Sequence, residues 1–149
     1  MHAAKTWILI ADAAHARVLE ATGRQQPLRQ VPSMTLQADL PRTHELGSER
    51  PGRAHDSVGS GRHAVQPRTD AHRELKRDFA ALISEQLKAA AALKAFDKIV
   101  LVCPPAMLGD LRRGMCKSVS EHILAEVPKD LVKVPNDDIR RHLEPFVAV

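Results

Sequence analysis

Trp7-Ile8-Leu9-Ile10 near the start and Ile99-Val100-Leu101-Val102 in the second half are short runs of large side chains, apolar at every position. A strand with one wet face alternates apolar and polar side chains, so a strand apolar at every step must be covered on both faces. The second run is rich in β-branched residues and is stopped by Pro104-Pro105, so Phe96 to Cys103 reads as a buried parallel strand following a crossover helix. Thr6 to Ala11 reads in the same way as a central strand. A chain carrying two such strands needs a sheet with a layer of structure on either side.

The remaining segments fit that demand. Asp12-Ala13-Ala14-His15 is a turn, and Ala16 to Glu20 is a second strand, antiparallel to the first. Thr22 to Pro27 is another turn, containing Gly23. Leu28 to Leu36 is a third strand candidate in which Pro32 suits an edge or a bulge. A long helix is expected from a cap at Thr69 or Asp70, with Leu75, Phe79, Leu82, Ile83, Leu87, Ala90 and Leu93 as its apolar stripe. Roughly 24 residues give a rod of about 36 Å, and its Ala-rich second half permits close packing. A short helix from Ala106 to about Met115 turns Leu108, Leu111 and Met115 inward, and Lys117 to His122 either continues it or begins another turn. Ile123 to Val127 is a last strand, and Asn136 or Asp137 caps a helix through Leu143. The expected fold is one α/β domain over residues 1–149, a mixed five-stranded sheet flanked by helices. The ribonuclease H-like architecture has this element order.

Composition narrows the function classes. A chain of 149 residues with 44% apolar content suits one domain with one core. Aromatic residues are 3% of the chain and Tyr is absent, which argues against a stacking platform for single-stranded nucleic acid. The formal charge of +4 and pI near 9.4 favour an anionic partner mildly. Cys103 and Cys116 form no metal or disulfide pattern, so a reducing compartment is expected. No stretch approaches the ~18 apolar residues of a membrane span. The block after Lys5 is shorter than a signal-peptide core of ~7–15 residues. The expectation is a cytoplasmic protein without a membrane partner, cofactor or metal; the sequence is silent on oligomeric state.

Between the third strand and the long helix, about residues 37–68, lies the least globular part of the chain. Four of the seven glycines fall between Gly47 and Gly61, and His44, His55, His63 and His72 lie in or beside the segment. Apolar residues are almost missing between Gly47 and Pro67, so this reads as a flexible Gly/Arg-rich arm. Gly59-Ser60-Gly61 lets backbone amides approach an anion closely. Arg50, Arg53, Arg62 and Arg68 suit phosphate bidentately. Set against Glu49 and Asp56, these four arginines leave a net charge of +2 over Ser48 to Arg68. No nucleotide-binding glycine pattern is present, and the histidine spacings match no zinc site. His72, Arg73, Lys76 and Arg77 continue the basic character onto the helix after the arm. Arg112, Arg113 and Lys117 form a second basic cluster. Asp12, at the end of the first strand, occupies the place of a nuclease metal ligand but lacks partner acids within strands, and a turn-forming role is favoured.

At these residues the chain resembles a known family. Trp7 to Val18 resembles the opening of the bacterial host attachment protein family, also described as required for attachment to host cells. Glu49-Arg50-Pro51-Gly52-Arg53 with Asp56-Ser57, then Gly59-Ser60-Gly61-Arg62-His63, Pro67-Arg68-Thr69-Asp70 and His72 carry the resemblance through the arm. Leu101-Val102-Cys103-Pro104-Pro105 with Leu108-Gly109, and Glu126-Val127-Pro128-Lys129-Asp130-Leu131, extend it over nearly the whole chain. The family is similar, more distantly, to the middle domain of archaeo-eukaryotic peptide-release factors and their Pelota-like relatives. That resemblance implies a ribonuclease H-like fold whose Gly-Gly-Gln loop is followed by a basic helix. Here Gly59-Ser60-Gly61-Arg62-His63 stands in the corresponding place, and Arg73, Lys76 and Arg77 lie on the corresponding helix. Gly-Gly-Gln itself is missing, and Gln66 lacks the two preceding glycines. The resemblance therefore implies contact with the ribosome or another structured RNA and does not carry peptidyl-tRNA hydrolysis with it. The expected function is a non-catalytic RNA-binding module. The alternative is a hydrolase, acting on peptidyl-tRNA through His63 or Gln66 or as a nuclease through Asp12.

Overall fold

The two apolar runs lie side by side at the centre of one sheet. The computed structural model describes residues 4–38 and 61–149, the side chains of residues 61–70 excepted. Its strands are β1 (Thr6–Ala11), β2 (His15–Ala21), β3 (Arg29–Gln30), β4 (Leu36–Gln37), β5 (Lys98–Val102) and β6 (Ile123–Val127). Its helices are α1 (Gly61–Ala92), α2 (Pro105–Gly114), α3 (Lys117–Ser120) and α4 (Asn136–Leu143). The strand order is β3-β2-β1-β5-β6, with β4 also paired to β2. β1 and β2 are antiparallel, with Ile8 opposite Leu19. β5 runs parallel to β1, and β6 runs parallel to β5. The sheet is therefore mixed, within a single α/β domain.

Strand alternation explains why the runs are apolar throughout. Trp7, Leu9, Ala11, Ile99, Leu101 and Cys103 turn to one face, where Phe79, Ile83 and Leu87 of α1 and Leu108 and Leu111 of α2 pack on them. Ile8, Ile10, Val100 and Val102 turn to the other, against Leu131 and against Ile139 and Leu143 of α4. Ile8, Leu9, Ile10, Ile99 and Leu101 are fully buried. Each such side chain contributes about 1.5–3 kcal/mol relative to exposure.

Four features differ from the sequence expectations. The third strand is split: Pro32 opens a 3-10 turn over Pro32–Met34, and two-residue strands on either side of it pair with β2. The sheet thus has six strands rather than five. The long helix starts at Gly61 instead of Thr69 or Asp70, and its 32 residues span about 48 Å. A helix anchored by a packed second half extends toward its N-terminus cheaply, without an apolar stripe. Arg, Gln, Ala and His are tolerable helix formers, and Pro67 removes one bond to the carbonyl four residues back. Residues 61–68 of the expected arm are therefore helical, while its residues 39–60 lie outside the described residues. The apolar stripe is also narrower. Phe79, Ala80, Ile83, Leu87 and Ala90 are buried, but Leu82 is 44% and Leu93 81% exposed. Finally, Pro135 stands at the N-cap of α4, and no side chain caps it. Asn136 points its amide elsewhere, accepting from Arg17 Nε at 2.9 Å and donating to Gln30 Oε1 at 3.1 Å.

Candidate nucleic-acid interface

Arg73, Lys76 and Arg77 stand at i, i+3 and i+4 on α1, so they share one side of the helix. Lys76 and Arg77 are exposed and Arg73 is half-buried. Arg73 is held by a fork, its Nη1 and Nη2 donating to the two oxygens of Asp110 on α2 at 3.3 and 3.1 Å. Arg113 donates to the same carboxylate. The Asp110 side chain is only 3% exposed, and two guanidinium groups offset its charge. His72 precedes Arg73 in the chain, and its Nε2 is buried without a hydrogen-bond partner among the described residues.

Each member of the second basic cluster stands beside an acid, while its own side chain stays exposed. Arg112 donates through Nε to Glu126 on β6 at 2.8 Å, and its Nη2 reaches the same oxygen. That carboxylate holds the Arg112 guanidinium above its ordinary pKa. Arg113 is turned to Asp110, and Lys117 lies 3.8 Å from Glu121. The partners lie on other elements or one turn away, and the run of basic residues alone gave no sign of them.

Asp12 is a turn former. Its Oδ1 accepts from the Ala14 amide at 2.8 Å and the His15 amide at 2.7 Å, and the His15 ring lies 3.3 Å away. Among the described residues no three histidines, cysteines or acids come together in a group that could hold a metal ion. The nuclease alternative therefore gains no support from this end of β1.

Of the other expected contact residues, Arg50, Arg53, Gly59 and Ser60 lie outside the described residues. Gly61, Arg62, His63 and Arg68 belong to the first turns of α1, continuous with Arg73, Lys76 and Arg77. Gly61-Arg62-His63 is thus helical backbone rather than loop. Asp110 is the one member of the group that sequence reasoning missed. The available signal was an acid between Leu108 and Leu111, on the side of α2 that faces inward.

The two thiols differ in environment. Cys103 is buried at the end of β5, and burial pushes its pKa up to about 12. Cys116 is half-exposed, and its contact with the Ser118 hydroxyl at 2.9 Å draws its pKa below the ordinary thiol value. Among the described residues no helix is long and apolar enough to cross a membrane. No curated protein matches the chain. The family model described as "Protein required for attachment to host cells" matches residues 7–143, and the chain belongs to that family.

Proposed function

We propose that this chain is a non-catalytic module that docks on the ribosome or another structured RNA. The contacts are Arg50, Arg53, Gly59, Ser60, Gly61, Arg62, His63 and Arg68, continued on α1 by His72, Arg73, Lys76 and Arg77. The observation that carries this reading is one unbroken helix that holds Gly61, Arg62, His63 and Arg68 together with His72, Arg73, Lys76 and Arg77, with Lys76 and Arg77 exposed on it. Positions 62 and 73 are about three helical turns apart and so fall on nearly the same side of the rod. Each residue of the other basic cluster lies beside an acid of the protein itself. The strand order, three antiparallel neighbours followed by two parallel ones, supports a ribonuclease H-like assignment and a distant kinship with the release-factor middle domain.

The non-catalytic part of the reading rests on chemistry. Ester hydrolysis of the release type needs a positioned water and donors for the developing oxyanion. Arg62 is a permanent cation with no acceptor to orient water. Asp12 is engaged by two backbone amides. Co-sedimentation with ribosomes tests the docking. The intact protein is expected in the ribosomal pellet at low salt, and the Lys76→Ala/Arg77→Ala protein largely in the supernatant. A wild-type protein that stays in the supernatant sinks the proposal. The same preparation is expected to release no peptide from purified peptidyl-tRNA.

A further inference from the structure

We infer that the crevice between the carboxyl ends of β1 and β5 binds a single phosphate group. These strands are parallel neighbours, and the chain leaves them in opposite directions: β1 leads to β2 on one side, and β5 leads through α2 to β6 on the other. In open α/β sheets such a reversal leaves a crevice outside the strand ends, and ligands bind there. Here the crevice is a cleft of about 140 Å³ walled by Ala13, Pro104, Met107, Asp110, Arg73 and Lys76. It is smaller than the ~300–1,000 Å³ pockets that enclose whole cofactor-sized molecules. It is several times the ~30 Å³ share of one water, which is room for one compact anion.

The charges favour an anion. Arg73 and Lys76 line the cleft together with one carboxylate, Asp110, which Arg113 also pairs with from outside the lining, so the lining groups carry one positive charge in excess. Asp110 acts here as a positioning residue, its two oxygens accepting from Nη1 and Nη2 of Arg73, whose side chain also lines the cleft. A guanidinium so fixed, with the Lys76 ammonium beside it on the lining, matches phosphate oxygens, and the entropic cost of ordering Arg73 is already met on folding. Lys76 is also oddly placed for a surface lysine. It stands seven residues before the fully buried Ile83, about two helical turns, and so on the side of α1 that faces the sheet. It is nevertheless exposed, because the cleft opens beneath it. Arg77, one residue on, lies outside the lining. This inference deepens the RNA reading and rests on it for the source of the phosphate: a phosphodiester of bound RNA, with free phosphate as the other source.

The test follows amide resonances of Ala13, Ala106 and Met107 while the intact protein is titrated with inorganic phosphate and, separately, with a short oligoribonucleotide. Sodium chloride at matched ionic strength is the control. Phosphate is expected to shift these amides with saturation. Lys76→Ala should weaken that binding about tenfold and Arg77→Ala less than about twofold. The same amides moving with the oligoribonucleotide identify an RNA phosphodiester as the source; movement with phosphate alone identifies free phosphate. Cleft amides that move with neither probe overturn the inference. So does equal weakening by the two substitutions, which describes a diffuse positive surface. RNA binding without movement at the cleft removes the phosphate site and leaves the RNA reading standing. Phosphate shifts in a protein that fails to pellet with ribosomes do the reverse.

Discussion

Arg17 donates from all three of its side-chain nitrogens. Nε bonds Asn136 Oδ1 at 2.9 Å, Nη1 the Val132 carbonyl at 2.5 Å and Nη2 the Val134 carbonyl at 2.6 Å. These bonds tie β2 to the segment that leads into α4. Arg17→Ala leaves two part-buried carbonyls unsatisfied, and a loss of about 2 kcal/mol in urea unfolding is expected. Arg17→Lys should recover little of it, because an ammonium cannot present a planar fork. The thiols supply a second check at this scale. Native protein should react with a thiol reagent at Cys116 and not at Cys103, whose thiol is pushed up to about 12 by burial. Since the Ser118 hydroxyl lowers the Cys116 pKa, Ser118→Ala should raise it and slow labelling near neutral pH. Equal labelling of both cysteines would contradict these environments. None of this was visible in sequence, where Arg17 was an unremarked residue of a strand and the cysteines were two isolated thiols. The partners of Arg17 lie more than a hundred residues away, and only tertiary packing makes the contact.

Among the elements, α1 teaches most about what a sequence reveals. Its packed half was legible from periodicity, since Phe79, Ile83, Leu87 and Ala90 recur at helical spacing and are buried. Leu82 and Leu93 share the residue type, yet Leu82 stands about 100° round the helix from Ile83 and Leu93 follows the last helical residue, and both are exposed. Ile83→Ala is accordingly expected to cost about 2–5 kcal/mol, and Leu82→Ala or Leu93→Ala no more than about 0.5 kcal/mol. Thermal unfolding of the three variants reads the difference, and similar losses at all three would refute this register. The start of α1 was not legible, because Gly61 to Arg68 has no apolar face and reads by composition as loop. Its end is closed by two bonds, Ala95 N–H to the Ala90 carbonyl and Lys94 N–H to the Ala91 carbonyl, both at 3.0 Å. Lys94 sits there at φ 55°, the left-handed position that glycine usually fills. Lys94→Gly should therefore stabilise the protein by about 1 kcal/mol, and a fall in melting temperature would contradict the assignment. The split of the third strand was half legible, since Pro32 announced an interruption and not the 3-10 turn that fills it.

At the scale of the whole molecule, sheet and helices converge on one edge. The turn after β1, the end of β5, the start of α2 and the basic stretch of α1 meet at the cleft that Arg73, Lys76 and Asp110 line. The basic residues of this site were legible because they follow the Gly/Arg-rich segment directly. The acid that orients Arg73 was not, being 37 residues distant in sequence. Nor were the acids beside the second basic cluster, Glu126, Asp110 and Glu121. If α1 meets RNA through exposed cations, the binding must weaken with salt. Each phosphate contact releases counterions, so the slope of log affinity against log salt counts them. The measurement is the affinity of the intact protein for ribosomes from low to moderate salt, alongside the Lys76→Ala/Arg77→Ala protein. Salt-sensitive binding is expected, with a slope shallower by roughly 1–2 units in the variant. Binding with an unchanged slope, or none at low salt, would contradict it.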